Sequence, residues 1–261
     1  MRIQQRRCAG VALTVIVAAL AGTGCGSSSN TDSAHIRAVN FSANAGNAAV
    51  TVNGGAIGGN LTFGQTADYN FIGQGSSTFA FTTDAKLLPL LVFPASPTLT
   101  LKTGSFYTGY LLGRSDVAGK ADPRFLQAVV TGARGAAANY SAAVPYSAPP
   151  SGSANVRILN AAPDAPSVDV LVNGKLAYAA VAYPPYPTVA ADTTVSSVNP
   201  VTAYAAVPTS SLSIQVNTAG TAQVLVPATS VSVAAGSAYT LVIAEPTVTP
   251  APTFGLQAVS D

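Results

Sequence analysis

Two stretches decide how this chain folds: residues 36–54, IRAVNFSANAGNAAVTVNG, and residues 156–174, VRILNAAPDAPSVDVLVNG. They align without a gap at an offset of 120, and both close on Asn-Gly. Asn53-Gly54 and Asn173-Gly174 each follow an alternating apolar run, Val50 and Val52 in one, Val168, Val170 and Val172 in the other. Asn-Gly supplies the positive φ angles of a two-residue hairpin turn, so each stretch reads as strand, turn, strand. Working outward, Gly104-Ser105-Phe106-Tyr107-Thr108 returns as Gly236-Ser237-Ala238-Tyr239-Thr240, and Leu126-Gln127-Ala128-Val129 as Leu256-Gln257-Ala258-Val259. The order is kept while the offset drifts by loop-sized amounts, which is the pattern of two homologous domains in tandem.

The repeat places one domain at 34–135 and the second at 154–261. Between them, residues 136–153 read AAANYSAAVPYSAPPSGS, a Pro/Ser/Ala linker without periodicity. About eight short strands are expected per copy; in the first they fall near 35–41, 48–52, 61–63, 69–71, 77–82, 87–93, 107–112 and 125–130. In the second copy Leu212, Ile214 and Val216 alternate with Ser213, Gln215 and Asn217, the period of a half-buried strand. No helical period with caps appears in either copy. The expected fold class is all-β, as two tandem sandwiches.

Composition narrows the function. The chain has 261 residues, 48% hydrophobic and 8% charged, with one His, two Cys and no Trp. That hydrophobicity excludes an intrinsically disordered chain, and the sparse charge excludes a phosphate-neutralising nucleic-acid binder. The N-terminus carries Arg2, Arg6 and Arg7 before the uncharged run AGVALTVIVAALA at 9–21, which is too short to span a bilayer and has the layout of a secretory signal. Its end, LAGTGC at 20–25, resembles a bacterial lipobox with Gly22 where Leu is commonest. The resemblance implies cleavage before Cys25 and attachment of palmitate-type acyl chains to it, with 25–33 as a flexible Gly/Ser tether. Cys25 is the one Cys beyond the apolar run, so it has no disulfide partner within the exported chain. Loss of residues 1–24 removes three of the 12 basic groups, leaving 9 against 10 acidic ones, a formal charge of −1. Gly26 after the Cys resembles lipoproteins passed on to an outer membrane, across the periplasm.

The run Val156 to Val170 with Gly174, and Ala235-Gly236-Ser237-Ala238-Tyr239-Thr240-Leu241-Val242-Ile243 later in the second copy, resemble the bacterial family known as domain of unknown function 4397. The resemblance implies an exported, often lipid-anchored protein with tandem immunoglobulin-like β-sandwich domains and carries no assigned activity. The first copy departs from it, with Ala43-Asn44-Ala45-Gly46 in place of Pro163-Asp164-Ala165-Pro166 and Ala49 in place of Asp169.

Few residues could carry chemistry. His35 is the only His, so neither a hydrolytic triad nor a two-His metal site can be assembled. Asp164 and Asp169 form the best acidic pair, read either as Ca²⁺ ligands or as a turn-forming Asp and a water-facing strand Asp. Arg114, Asp116, Lys120, Asp122 and Arg124 make a charged connection whose counterpart in copy two, from Glu245 to Pro252, is Pro/Thr-rich. Arg114 and Arg124, together with Tyr183 and Tyr186 of the Tyr183-Pro184-Pro185-Tyr186-Pro187 run, are the candidate contacts for an envelope protein or glycan partner. No cofactor, metal or nucleic-acid partner is expected; the partner that the sequence itself points to is a membrane, through the N-terminal lipid. The expectation is a non-catalytic, lipid-anchored binding or structural module of the cell envelope. The alternatives are a carbohydrate-active or peptidoglycan-associated enzyme with an interdomain site and a Ca²⁺ or small-ligand sensor.

Overall fold

A computed structural model describes residues 33–83, 98–117, 122, 124–133, 147–184, 201–209, 211–247 and 252–261. The leader, Cys25, the predicted strand at 87–93 and Tyr186 lie outside these residues. The first copy contributes β1 Ser33–Asn40, β2 Ala48–Val52, β3 Gly55–Leu61, β4 Asn70–Gly73, β5 Gly75–Thr83, β6 Thr98–Leu101, β7 Phe106–Leu112 and β8 Gln127–Ala133. The second contributes β9 Ser153–Asn160, β10 Val168–Val172, β11 Lys175–Val181, β12 Ala205–Pro208, β13 Leu212–Thr218, β14 Val224–Val231, β15 Ala238–Thr247 and β16 Thr253–Ser260. No helix occurs among the described residues.

Each copy is a sandwich of two four-stranded sheets with the same strand order. In the first, β4-β1-β7-β8 packs on β3-β2-β5-β6; in the second, β12-β9-β15-β16 packs on β11-β10-β13-β14. The opening strand of each copy runs parallel to the penultimate one, β1 to β7 and β9 to β15, and every other pairing is antiparallel. The Asn-Gly hairpins join β2 to β3 and β10 to β11, with Asn53 and Asn173 both at φ 51. The sequence reading placed the returning strand at 61–63, too late: the two-residue turn lets it start at Gly55, so Leu61 is its last residue. The strand β6 at Thr98–Leu101 was not anticipated.

Both hairpins also bulge at equivalent places, where Asn60 and Ala180 take φ 55 and φ 52. Asn tolerates this left-handed conformation better than Ala does. At Ala180 the difference is made up by Asp169, whose carboxylate accepts the backbone N–H of Ala180 at 2.8 Å and of Gly220 at 2.9 Å. Copy one has Ala49 at the matching position and needs no such support.

The two cores are built from inward-facing residues of both sheets. Ile36, Val50, Phe79, Phe81 and Leu111 are in one, Val156, Val170, Ile214, Val216 and Leu241 in the other. Shape is divided differently between them. A Cβ on Gly109 of β7 would lie 2.2 Å from the Phe79 ring, so the ring occupies the space a side chain would need. At the matching positions the second copy has Leu241 and Ile214. Large-with-none and medium-with-medium are two ways of filling the space between the sheets, as close packing demands. Gly109→Leu alone is expected to destabilise the protein by about 1–3 kcal/mol or more through overpacking, and adding Phe79→Ile to recover part of that loss. Urea denaturation compares the two; a double variant no more stable than Gly109→Leu would refute this account of the core.

Candidate functional site at the junction of the two copies

The β1-containing and β9-containing sheets are buried on both faces. Along β1, Ala34, Ile36 and Ala38 enter the copy's own core, while Arg37, Val39 and, just past its end, Phe41 face the other copy. The same alternation in β7, β9 and β15 assembles a third apolar cluster between the copies: Val39, Phe41, Tyr110 and Leu112 with Leu159, Ala161, Val242, Ala244 and Val259. Its polar contacts come in reciprocal pairs. Gln127 donates to the Pro184 carbonyl at 2.9 Å, and Gln257 donates to the Gly64 carbonyl at 2.8 Å. Arg37 donates to the Ser260 carbonyl, and Arg157 to the Gly132 carbonyl at 2.9 Å. A surface in which residue i meets j while the equivalent of j meets the equivalent of i is isologous, as in a two-fold dimer, here within one chain.

Both arginines emerge from strand interiors and are buried. Nε of Arg37 donates to Thr108 at 3.1 Å and its guanidinium lies 4.5 Å over the Tyr69 ring. Nε of Arg157 donates to Thr240 at 2.9 Å and the guanidinium lies 4.6 Å over Tyr204. The second site adds a carboxylate that the first lacks. Asp261 stands 3.3 Å from Arg157 Nε and accepts from the hydroxyls of Thr240 and Tyr204, each at 2.7 Å. Burial disfavours the Arg157 charge, yet Asp261 and the neighbouring tyrosines hold its pKa above the ordinary value. Burial, followed by the Asp261 charge, pushes the Tyr204 hydroxyl up, and the Tyr110 hydroxyl up to about 12.

The candidate residues gather at one end of this junction. Arg114 is buried and donates to Asp116 at 2.6 and 2.9 Å and to Asp164 of the second copy. Arg124 donates to Asp122 at 2.7 and 3.0 Å and to the other Asp164 oxygen at 3.0 Å. The partner that these two arginines meet is thus the other half of their own chain. Asp164, read as a turn-former or a Ca²⁺ ligand, is held by two guanidinium groups from copy one, and Asp169 caps its bulge elsewhere; the two have separate partners. Hydrogen bonds from Arg114 hold the Asp116 carboxyl down at about 2, and those from Arg124 do the same for Asp122. Tyr183 packs on the interdomain cluster with its hydroxyl buried, and burial raises its pKa. His35 sits apart, stacked on Phe106 at 4.2 Å. Among the described residues no three His, Cys, Asp or Glu side chains come close enough to hold a metal ion.

One member of this site was not singled out in the sequence. Glu245, at 1% exposure, accepts the Asp164 backbone N–H through Oε2 at 3.0 Å, while Oε1 is buried without a hydrogen-bond partner. Its only sequence signal is that it is the sole Glu of the chain, closing an apolar strand. Burial pushes its carboxyl up to about 7.

The arrangement defines a class of protein: a tandem all-β chain whose two sandwiches are joined face to face by a self-complementary surface, with a charged cluster at one end. The model of the family described as domain of unknown function (DUF4397) matches residues 34–144 and again 154–261, and the chain belongs to this family in two consecutive copies. No curated protein matches it.

Two predictions follow from the buried charges. Because the folded pKa of Glu245 lies above its unfolded value of 4.5, the folded state binds the extra proton. Stability should therefore be highest below about pH 4.5 as far as this group is concerned, and fall by on the order of 2–3 kcal/mol as pH rises to about 7. Glu245→Gln, which mimics the protonated form, is expected to flatten that fall in denaturation curves taken between pH 4.5 and 8; an unchanged slope would count against the assignment. Separately, Arg157→Met leaves Asp261 buried and unpaired and should cost about 3–5 kcal/mol. Arg157→Met with Asp261→Thr, which removes the uncompensated carboxylate, should recover much of it in the same assay.

Proposed function

We propose that this protein is a lipid-anchored component of the bacterial cell envelope, held through Cys25 and acting as a non-catalytic binding or structural module. The observation that carries the reading is LAGTGC at 20–25 after a short apolar run, followed by a Gly/Ser tether. The junction supports a non-catalytic role. Asp116, Asp122 and Asp164 are engaged by guanidinium groups from the chain itself, and the one His is stacked on Phe106 and meets the edge of Phe71. A general base needs a free edge that a substrate can reach; the edges of Asp116, Asp122 and Asp164 are taken by guanidinium groups, and the free Oε1 of Glu245 is buried. The face-to-face fusion of the copies supports a rigid body carried at the membrane by its tether, with the outer-membrane leaflet favoured by Gly26.

Metabolic labelling with a radioactive or clickable fatty acid tests the anchor. The native chain is expected to label and to float with membranes, and Cys25→Ser to lose at least nine-tenths of the label and leave the membrane fraction. Equal labelling of the two forms would overturn the reading.

A further inference from the structure

The interdomain face of the β1 sheet continues past the junction, and its chemistry changes there. One step before Arg37, toward the start of β1, His35 pairs with Phe71 on β4 and with Phe106 on β7. The three rings form a row across the strands: His35 stacks on Phe106 at 4.2 Å and meets the edge of Phe71 at 4.8 Å, with Tyr69 against Phe106 at 5.2 Å. Phe71 is 55% exposed, one of three large apolar side chains so placed among the described residues. Lys102, exposed, lies in the turn that leads into β7. The second copy has the same strands in the same register but places Ala206, Asn155 and Ala238 there. Asn155 moreover donates to the Ser147 carbonyl at 2.6 Å, so the end of the linker lies against it. The aromatic row is therefore peculiar to the first copy and is not required by the fold.

What distinguishes the first copy is its nearness to the anchor. Ser33, the first residue of β1, pairs with Gly73 beside the row and lies eight residue steps along the chain from Cys25. Eight steps reach about 28 Å when fully extended and average about 16 Å for a Gly/Ser coil. An acylated Cys25 thus keeps this face within a few nanometres of the bilayer, whose interface favours aromatic rings, and the exposed Lys102 in the turn before β7 favours anionic headgroups. We propose that the Phe71, His35 and Phe106 row is the surface on which the folded body rests against the lipid bilayer that holds its anchor, so that the membrane orients the two sandwiches. The proposal rests on the lipid anchoring proposed above.

The chain has no Trp, so Phe71→Trp introduces a single indole reporter, with Leu176→Trp, 59% exposed on the second copy, as the control. Lipidated protein carrying either change is placed in phosphatidylethanolamine and phosphatidylglycerol vesicles with brominated acyl chains. Phe71→Trp is expected to shift to the blue and to lose at least half its emission, and Leu176→Trp to lose little. Protein that floats with the vesicles while Phe71→Trp is quenched no more than Leu176→Trp overturns the proposal. So does quenching of Phe71→Trp by soluble peptidoglycan fragments with no effect of bromolipid, which would assign the row to a glycan. Failure to float reports on the anchor instead. In that case Cys25 of a Cys8→Ser chain is coupled to a maleimide phospholipid, and the same quenching comparison on those vesicles decides the face.

Discussion

Everything in this molecule is arranged around a sheet face that would otherwise be left in water. A four-stranded sheet in a sandwich needs only one apolar face, because the other can be solvated. Here the β4-β1-β7-β8 and β12-β9-β15-β16 sheets bury both, each taking its outer face from the other copy. The constraint explains the composition of their central strands. Runs such as Val156-Arg157-Ile158-Leu159 lose the clean alternation seen at Leu212, Ile214 and Val216, because residues of both parities are buried. It also explains why polar residues in those strands come with dedicated partners. A buried guanidinium without hydrogen bonds would cost several kcal/mol, and Arg37 and Arg157 each have a Thr on the neighbouring strand, a carbonyl of the other copy and a Tyr ring.

Fold class and tandem organisation were legible in the sequence because they rest on local rules. The alternation of Val50 with Val52, the Asn-Gly turns and the returning Tyr-Thr strands are short-range signals, and the structure keeps them in place. The junction was not recognised, although its residues lay inside the matched stretches. Arg37 and Arg157, Thr108 and Thr240, and Gln127 and Gln257 recur at the repeat offsets within otherwise apolar strands. A polar residue repeated in both copies at a position that should be buried is a signal for a polar contact both copies need. Missing from the sequence was the partner: a face that pairs with its own duplicate has no periodicity of its own. Arg114 and Arg124 were read as contacts for an outside partner for the same reason, since nothing local shows that Asp164, tens of residues away, lies opposite.

Self-complementarity has a further consequence. In a two-fold dimer of identical subunits every substitution at the interface occurs twice, so a charge near the axis meets its own copy and must be neutral or self-compatible. Fusing the halves in one chain lifts that restriction. Asp261 faces Arg157 while the equivalent Arg37 is met by the Ser260 carbonyl, and Glu245 occupies the position at which copy one has Gly113. Gly113, at φ 91 with the Phe125 carbonyl 2.4 Å from where a Cβ would be, admits no side chain at all. A carboxylate could thus be kept in one copy and left out of the other, giving contacts that a symmetric interface would have had to duplicate.

The asymmetries are therefore more informative about this particular protein than the shared framework is. What both copies retain, the hairpins, the parallel opening strands and the reciprocal Arg and Gln contacts, is accounted for by packing and by satisfying buried polar groups. What only one copy has must answer to something that treats the two halves differently. Inside the chain, that is the charged end of the junction, where Asn44 of copy one bonds Asp116 and Ser115 of its own loop while its counterpart Asp164 takes two arginines across the boundary. Outside it, the halves differ in what adjoins them: one begins at the tether and the other at the linker. An exposed aromatic such as Phe71, where the second copy manages with Ala206, costs solubility and gains nothing for the core, so its explanation has to be sought where the interdomain face of the β1 sheet runs on past the second copy, toward the start of the chain.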